Sequence, residues 1–99
     1  MEEKIVNYLV NEKKRPKSIA KMSADRICKH DDIAAEFVKW LETRSYDCPN
    51  SLVVEGYSAM DIYKLAPFLD GIGIYDFMIT LREKPEFAKE TLAQGFPRK

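Results

Sequence analysis

Cys28 and His30 stand two residues apart and are followed by Asp31 and Asp32, while Asp47 and Cys48 lie further along. Thiolate, imidazole and carboxylate are the donors of a zinc site, and a cysteine near a histidine is the raw material of a nucleophile and its base. The spacing argues against both. Structural zinc sites are usually built on tight Cys-x2-Cys pairs, and on a helix residues two apart point to different faces. The expectation is two reduced free thiols and a surface histidine, with no metal and no cofactor. Gly71-Ile72-Gly73 lacks the third glycine and the preceding strand that a dinucleotide-binding loop requires. No pair of carboxylates stands out either, so a non-enzymatic protein is expected.

Charge is the second kind of chemistry on offer. Sixteen basic residues cancel sixteen acidic ones overall, which predicts no polyanionic partner for the molecule as a whole. The charges are nevertheless laid down in blocks. Residues 1–12 carry one Lys against three Glu (net −2), and residues 13–30 carry seven Lys or Arg against one Asp (+6). Residues 31–49 have two basic and five acidic residues (−3), 50–81 have one and four (−3), and 82–99 have five and three (+2). Within the basic block, Lys13, Lys14, Arg15, Lys17 and Lys21 are the candidate phosphate contacts of a nucleic-acid reader. A charged linker followed by a solvated helix face is the plainer account of the same residues.

Aromatic and apolar side chains supply the third. Phe37, Trp40, Tyr75, Phe77 and Phe87 fall mostly on the apolar faces of predicted helices and are expected in the core. Tyr57, Met60, Tyr63 and Phe68 are less well placed and form a candidate partner patch around residues 58–66. A protein partner or self-association, through that patch or through the complementary charge blocks, is the leading expectation.

These residues need elements to hold them, and periodicity supplies helices throughout. Ile5, Tyr8 and Leu9 share a face over Glu3 to Val10. A second helix is predicted from about Ser18, as N-cap, to Lys29, with Ile19, Met22, Ile27, Ala20 and Ala24 as its apolar face. A third runs from Asp32 to Thr43, capped by Asp31 or Asp32, with Ile33, Phe37, Trp40 and Leu41 repeating at helical spacing. Residues 46–51 read as a loop, and Leu52 to Val54 as a short extended run with no evident partner.

Ser58 and Asp61 give a capping signal for a helix that Pro67 must stop near Leu65 or Ala66, with Ile62 and Leu65 at helical spacing. A turn then leads to a helix of about 71–82, with Asp70 as candidate cap and Ile74, Met78, Leu81, Tyr75 and Phe77 as its apolar side. Pro85 and Gly95 bracket a last helix with Phe87, Ala88, Leu92 and Ala93 as its apolar residues, and FPRK reads as a tail. The fold class expected is all-α: a single domain over 1–99, built as a compact bundle of five or six short helices. Residues 32–43 and 71–82 would be its central helices.

Residues 58–82 also have the cadence of a helix-turn-helix pair. Its second helix, however, carries Asp70 and Asp76 and no Lys or Arg before Arg82, and such a helix would be repelled by phosphate. A nucleic-acid-binding regulator therefore stands as the alternative function, using the basic 13–29 segment rather than this helix. Residues 53–99 share an E-G-Y-S-A start, an L-R-E-x-P-E centre and a G-x-P-R-K end, and in this the chain resembles a group of short uncharacterised bacterial proteins. The resemblance implies a bacterial, cytoplasmic, helical protein and brings no catalytic or binding residue with it. No apolar run approaches the roughly 18 to 20 residues of a membrane span, and the first residues lack a secretory leader pattern, so no membrane partner is expected.

Overall fold

The computed structural model describes residues 2–46, 52–69 and 71–95. Among them the fold is all-α: six helices, one short 3-10 turn and a two-stranded hairpin. The chain divides into two compact units, Met1–Arg44 and Ser45–Lys99.

The first unit is three helices, α1 (Glu2–Asn11), α2 (Lys17–Cys28) and α3 (Asp31–Thr43), with α1 packed against both of the others. Its buried side chains are Ile5, Tyr8 and Leu9 of α1, Ala20, Ala24 and Ile27 of α2, and Ile33, Ala34, Glu36, Phe37 and Trp40 of α3. Two expectations need correction here. Ser18 is not the cap of α2, because the helix opens two residues earlier than that cap would place it, at Lys17, with Pro16 at the N-cap position and no side-chain cap. Nor does α2 bury Ile19 or Met22, which are exposed. Its inner face is the i, i+4, i+7 row of Ala20, Ala24 and Ile27, because two alanines one turn apart let a neighbouring helix approach closely, where isoleucine and methionine would hold it off.

A related correction applies to α3: the N-cap is His30, with Asp31 and Asp32 inside the first turn. There their charge still favours the helix, by complementing the partial positive charge of its N-terminus.

The second unit opens with a hairpin. Strands β1 (Val53–Val54) and β2 (Tyr57–Ser58) pair antiparallel, Val53 opposite Ser58 and Val54 opposite Tyr57. The extended run at residues 52–54 therefore has a partner after all. The two turn residues, Glu55 at φ 52° and Gly56 at φ 89°, both lie at positive φ, as a two-residue turn matched to strand twist requires.

Ser58 then caps α4 (Ala59–Leu65) in a reciprocal box: the Asp61 N–H donates to its hydroxyl at 3.2 Å, and its own N–H donates to the Asp61 carboxylate at 3.0 Å. The helix ends at Ala66, before Pro67, as the missing N–H of proline dictates.

A 3-10 turn at Pro67–Leu69 leads into α5 (Ile72–Glu83), and Pro85 opens α6 (Pro85–Gln94). Asp70, the expected cap, lies outside the described residues, and the N-cap position is held by Gly71 at φ 58°, ψ −121°. That backbone conformation is essentially reserved for glycine. Gly73 follows because a Cβ there would sit 3.2 Å from the Leu69 Cβ, so its absence lets the 3-10 turn lie against α5. The helix buries Ile72, Ile74, Tyr75, Phe77, Met78, Ile79 and Leu81, and it packs with α4, α6, β1 and the 3-10 turn. By contrast α6 buries only Ala88, and Phe87, expected in the core, is exposed. The loop at 47–51 and the 96–99 tail lie outside the described residues.

Candidate interaction surfaces

In the first unit the most organised polar arrangement centres on Arg44, which sequence reasoning did not single out. Arg44 ends α3 in the left-handed conformation, φ 58° and ψ 26°, a position ordinarily given to glycine. From there its guanidinium donates to both oxygens of Glu12, one at 3.0 Å, and its Nε donates to the Leu41 carbonyl at 3.2 Å. It also lies 4.8 Å from the Trp40 ring centre and 5.4 Å from that of Tyr8. Those rings are themselves packed, Tyr8 edge-on to Phe37 at 5.6 Å and to Trp40 at 5.8 Å. The guanidinium beside Glu12 holds that carboxyl below its ordinary value of 4.5. The result is a clasp between the ends of α1 and α3 at the edge of an open groove of about 330 Å³, which Lys4, Asn7, Asn11 and Glu42 also line. Nothing in a single sequence marks Arg44 as a left-handed cap.

The candidate phosphate contacts lie in the connection between α1 and α2 and in the first turns of α2. Lys13, Lys14, Lys17 and Lys21 are exposed and Arg15 is half-buried. Lys13 leans over the Tyr8 ring at 5.9 Å, and Arg15 reaches the Ser23 hydroxyl at 3.5 Å while its N–H donates to the Leu9 carbonyl at 3.0 Å. Lys17 and Lys21 line a second groove with Glu2 and Glu3, so carboxylates of α1 already share it with two of the five. Beside that groove Glu2 lies in hydrogen-bond contact with Asp25, which raises its pKa.

Cys28 is a free, half-buried thiol ending α2, and burial first, then the Glu2 charge, pushes its pKa up. That is the reverse of what nucleophilic cysteine requires. Among the described residues no three His, Cys, Asp or Glu side chains are placed to hold a metal ion. Cys48 and Asp47 lie outside the described residues.

In the second unit, the four members of the candidate patch differ. Phe68 is exposed, while Tyr57, Met60 and Tyr63 are half-buried. Tyr63 is engaged internally: its ring stacks on that of Tyr46, centres 4.7 Å apart at 26°. Tyr46 in turn is buried and its hydroxyl accepts from the Gly71 N–H at 2.5 Å. Leu65, expected to face inward with Ile62, is instead exposed three residues from Phe68. The signal that could have found it is its place in the last turn of α4, immediately before a proline stop, where the chain leaves the packed face.

The second helix of the helix-turn-helix-like pair is α5, and among its described residues only Asp76, Arg82 and Glu83 are exposed. A groove-reading helix must present a continuous face of base-contacting side chains. With seven of its twelve residues buried, α5 serves packing. Among the described residues no helix is long and apolar enough to cross a membrane. Compared with protein-family models, curated proteins and solved structures, the chain gives no match.

Proposed function

We propose that this chain is a non-enzymatic interaction or regulatory module of the bacterial cytoplasm, working by presenting apolar side chains to a protein partner. The observation that carries this reading is the pair Leu65 and Phe68, 56% and 61% exposed at the end of α4 and in the following 3-10 turn. Half-buried Met60 and Tyr63 precede them on the same helix. A chain that buries seven side chains of α5 has the means to cover a leucine and a phenylalanine, and interface cores are enriched in aromatic and methionine side chains of this kind. The free thiol at Cys28 accords with a reducing compartment.

The test is a photo-crosslinking residue placed at Phe68 in the source cell, with the same residue at exposed Lys39 as control. A discrete adduct specific to position 68 is expected, and adduct yields no higher than at position 39 would remove the reading. The exposure of Lys13, Lys14, Lys17 and Lys21 favours a second reading, sequence-tolerant binding to nucleic acid phosphates.

A further inference from the structure

Helix α6 is held to its own unit by few contacts. Of its ten residues only Ala88 is buried; Pro85, Thr91 and Leu92 are half-buried and the rest, Phe87 among them, are exposed. It packs on α5, which α4, β1 and the 3-10 turn also cover. Two of its side-chain hydrogen bonds stay inside the helix, Thr91 donating to the Phe87 carbonyl and Gln94 to Glu90, each at 3.0 Å. Among the described residues one side-chain polar contact leaves it, the ion pair of Lys89 with Glu55 in the hairpin turn at 2.9 Å, and both partners are exposed.

The ends of α6 add little. A single residue, Lys84, links it to α5: the Lys84 N–H donates to the Thr80 carbonyl at 2.7 Å, and its own carbonyl accepts from the Ala88 N–H at 3.0 Å. Pro85 has no N–H with which to continue α5, so the chain turns here. No side chain caps α6 at Lys84, and no basic residue stands in its last turn. A helix of this length is marginal in water without tertiary packing, and an exposed ion pair contributes little.

We infer that α6 is a lid that opens on its own, turning at Lys84 and baring the side of α5 beneath it while α5 and the hairpin stay folded. Opening parts Lys89 from Glu55 and withdraws Ala88, and the detached helix unwinds because packing is what maintains it. Helix α5 does not follow, because α4, β1 and the 3-10 turn still cover it. The bared surface is apolar, since the buried residues of α5 are isoleucine, tyrosine, phenylalanine, methionine and leucine. This device is separate from Leu65 and Phe68, which are exposed with the lid closed.

Native-state amide hydrogen exchange of the full chain in rising sub-denaturing urea tests it. The amides of residues 89–94 are expected to be at least about tenfold less protected than those of residues 77–81. Their exchange should respond weakly to urea, because local opening exposes little surface, whereas exchange in α5 follows the full slope of unfolding. Ile62→Val, in the core that stays folded when the lid opens, should lower protection in α5 by about two- to tenfold and leave α6 unchanged. Ala88→Glu places a charge under the lid and is expected to abolish protection in α6, keep α5 protected and bind more anilinonaphthalene sulfonate than the wild type does. Equal protection and equal urea slopes in the two helices would overturn the inference. So would an Ile62→Val effect of the same size in both, or an Ala88→Glu chain that loses protection in α5 along with α6.

Discussion

Arg44 shows what a single side chain can offset. A non-glycine residue in the left-handed region costs about 1 kcal/mol or more, and here the guanidinium's contacts with Glu12, Trp40 and Tyr8 hold it there. Replacing Arg44 with alanine removes the contacts and keeps the strain, while glycine removes both. Thermal unfolding should therefore rank wild type first, Arg44→Gly second and Arg44→Ala last, with the two variants separated by about 1 kcal/mol. Equal stability of glycine and alanine at this position would mean that the left-handed cap is not kept in solution.

The same clasp sets a pH dependence. Because the folded pKa of Glu12 lies below its unfolded one, its contribution is present above about 4.5 and is lost as pH falls through the lowered folded value. Glu12→Gln is accordingly expected to destabilise at neutral pH by an amount that shrinks toward zero on acidification. A wild-type-to-variant difference that is constant between neutral pH and pH of about 3 would contradict this assignment.

At the scale of elements, helix α2 is the sharpest case, because Ile19 and Met22 point outward while Ala20 and Ala24 point inward with Ile27. Ala24 is fully buried, so Ala24→Leu overpacks its site and is expected to cost about 1–3 kcal/mol. Met22→Gln, at an exposed position on the opposite side, should stay within about 0.5 kcal/mol of wild type. Chemical denaturation of the two variants compares them directly, and the reverse order would restore Met22 to the core.

The helical pattern was legible in the sequence because caps and stops are local: Ser58 with Asp61, Pro67, Pro85 and Gly95 mark ends that the structure keeps within a residue. Which face each helix buries was legible only where size and burial agree, as for Phe37 and Trp40 in α3. In α2, close helix approach selects small residues, and in α6 only Ala88 is covered, so apolar periodicity was right for Ala20, Ala24, Ile27 and Ala88 and wrong for Ile19, Met22 and Phe87. The hairpin escaped notice because Glu55-Gly56 is not the Asn-Gly pair that usually announces such a turn. Arg44 escaped because its role depends on Glu12, thirty-two residues away in sequence.

For the whole molecule the decisive property is that equal numbers of basic and acidic residues are arranged in alternating blocks, so opposite charges lie near one another along the chain. The structure carries this further: Lys17 and Lys21 share a groove with Glu2 and Glu3, and Arg44 holds Glu12. If all five candidate residues, Lys13, Lys14, Arg15, Lys17 and Lys21, met phosphates, log affinity would fall with log salt at a slope of about −4.5, or roughly 500-fold for a fourfold rise in salt. Weak binding at low salt would not survive such a loss, and the exposed residues of α5, Asp76, Arg82 and Glu83, set one cation against two carboxylates. Fluorescence anisotropy of labelled duplex and single-stranded DNA is therefore expected to show at most low-salt binding that disappears near physiological salt. Changing Lys13, Lys14 and Arg15 to alanine should flatten the salt slope by about three units if those residues make the contacts. Binding that persists at physiological salt and needs those three residues would displace the protein-interaction reading, because a neutral molecule would then be concentrating its basic block on one ligand instead of spending it on its own carboxylates.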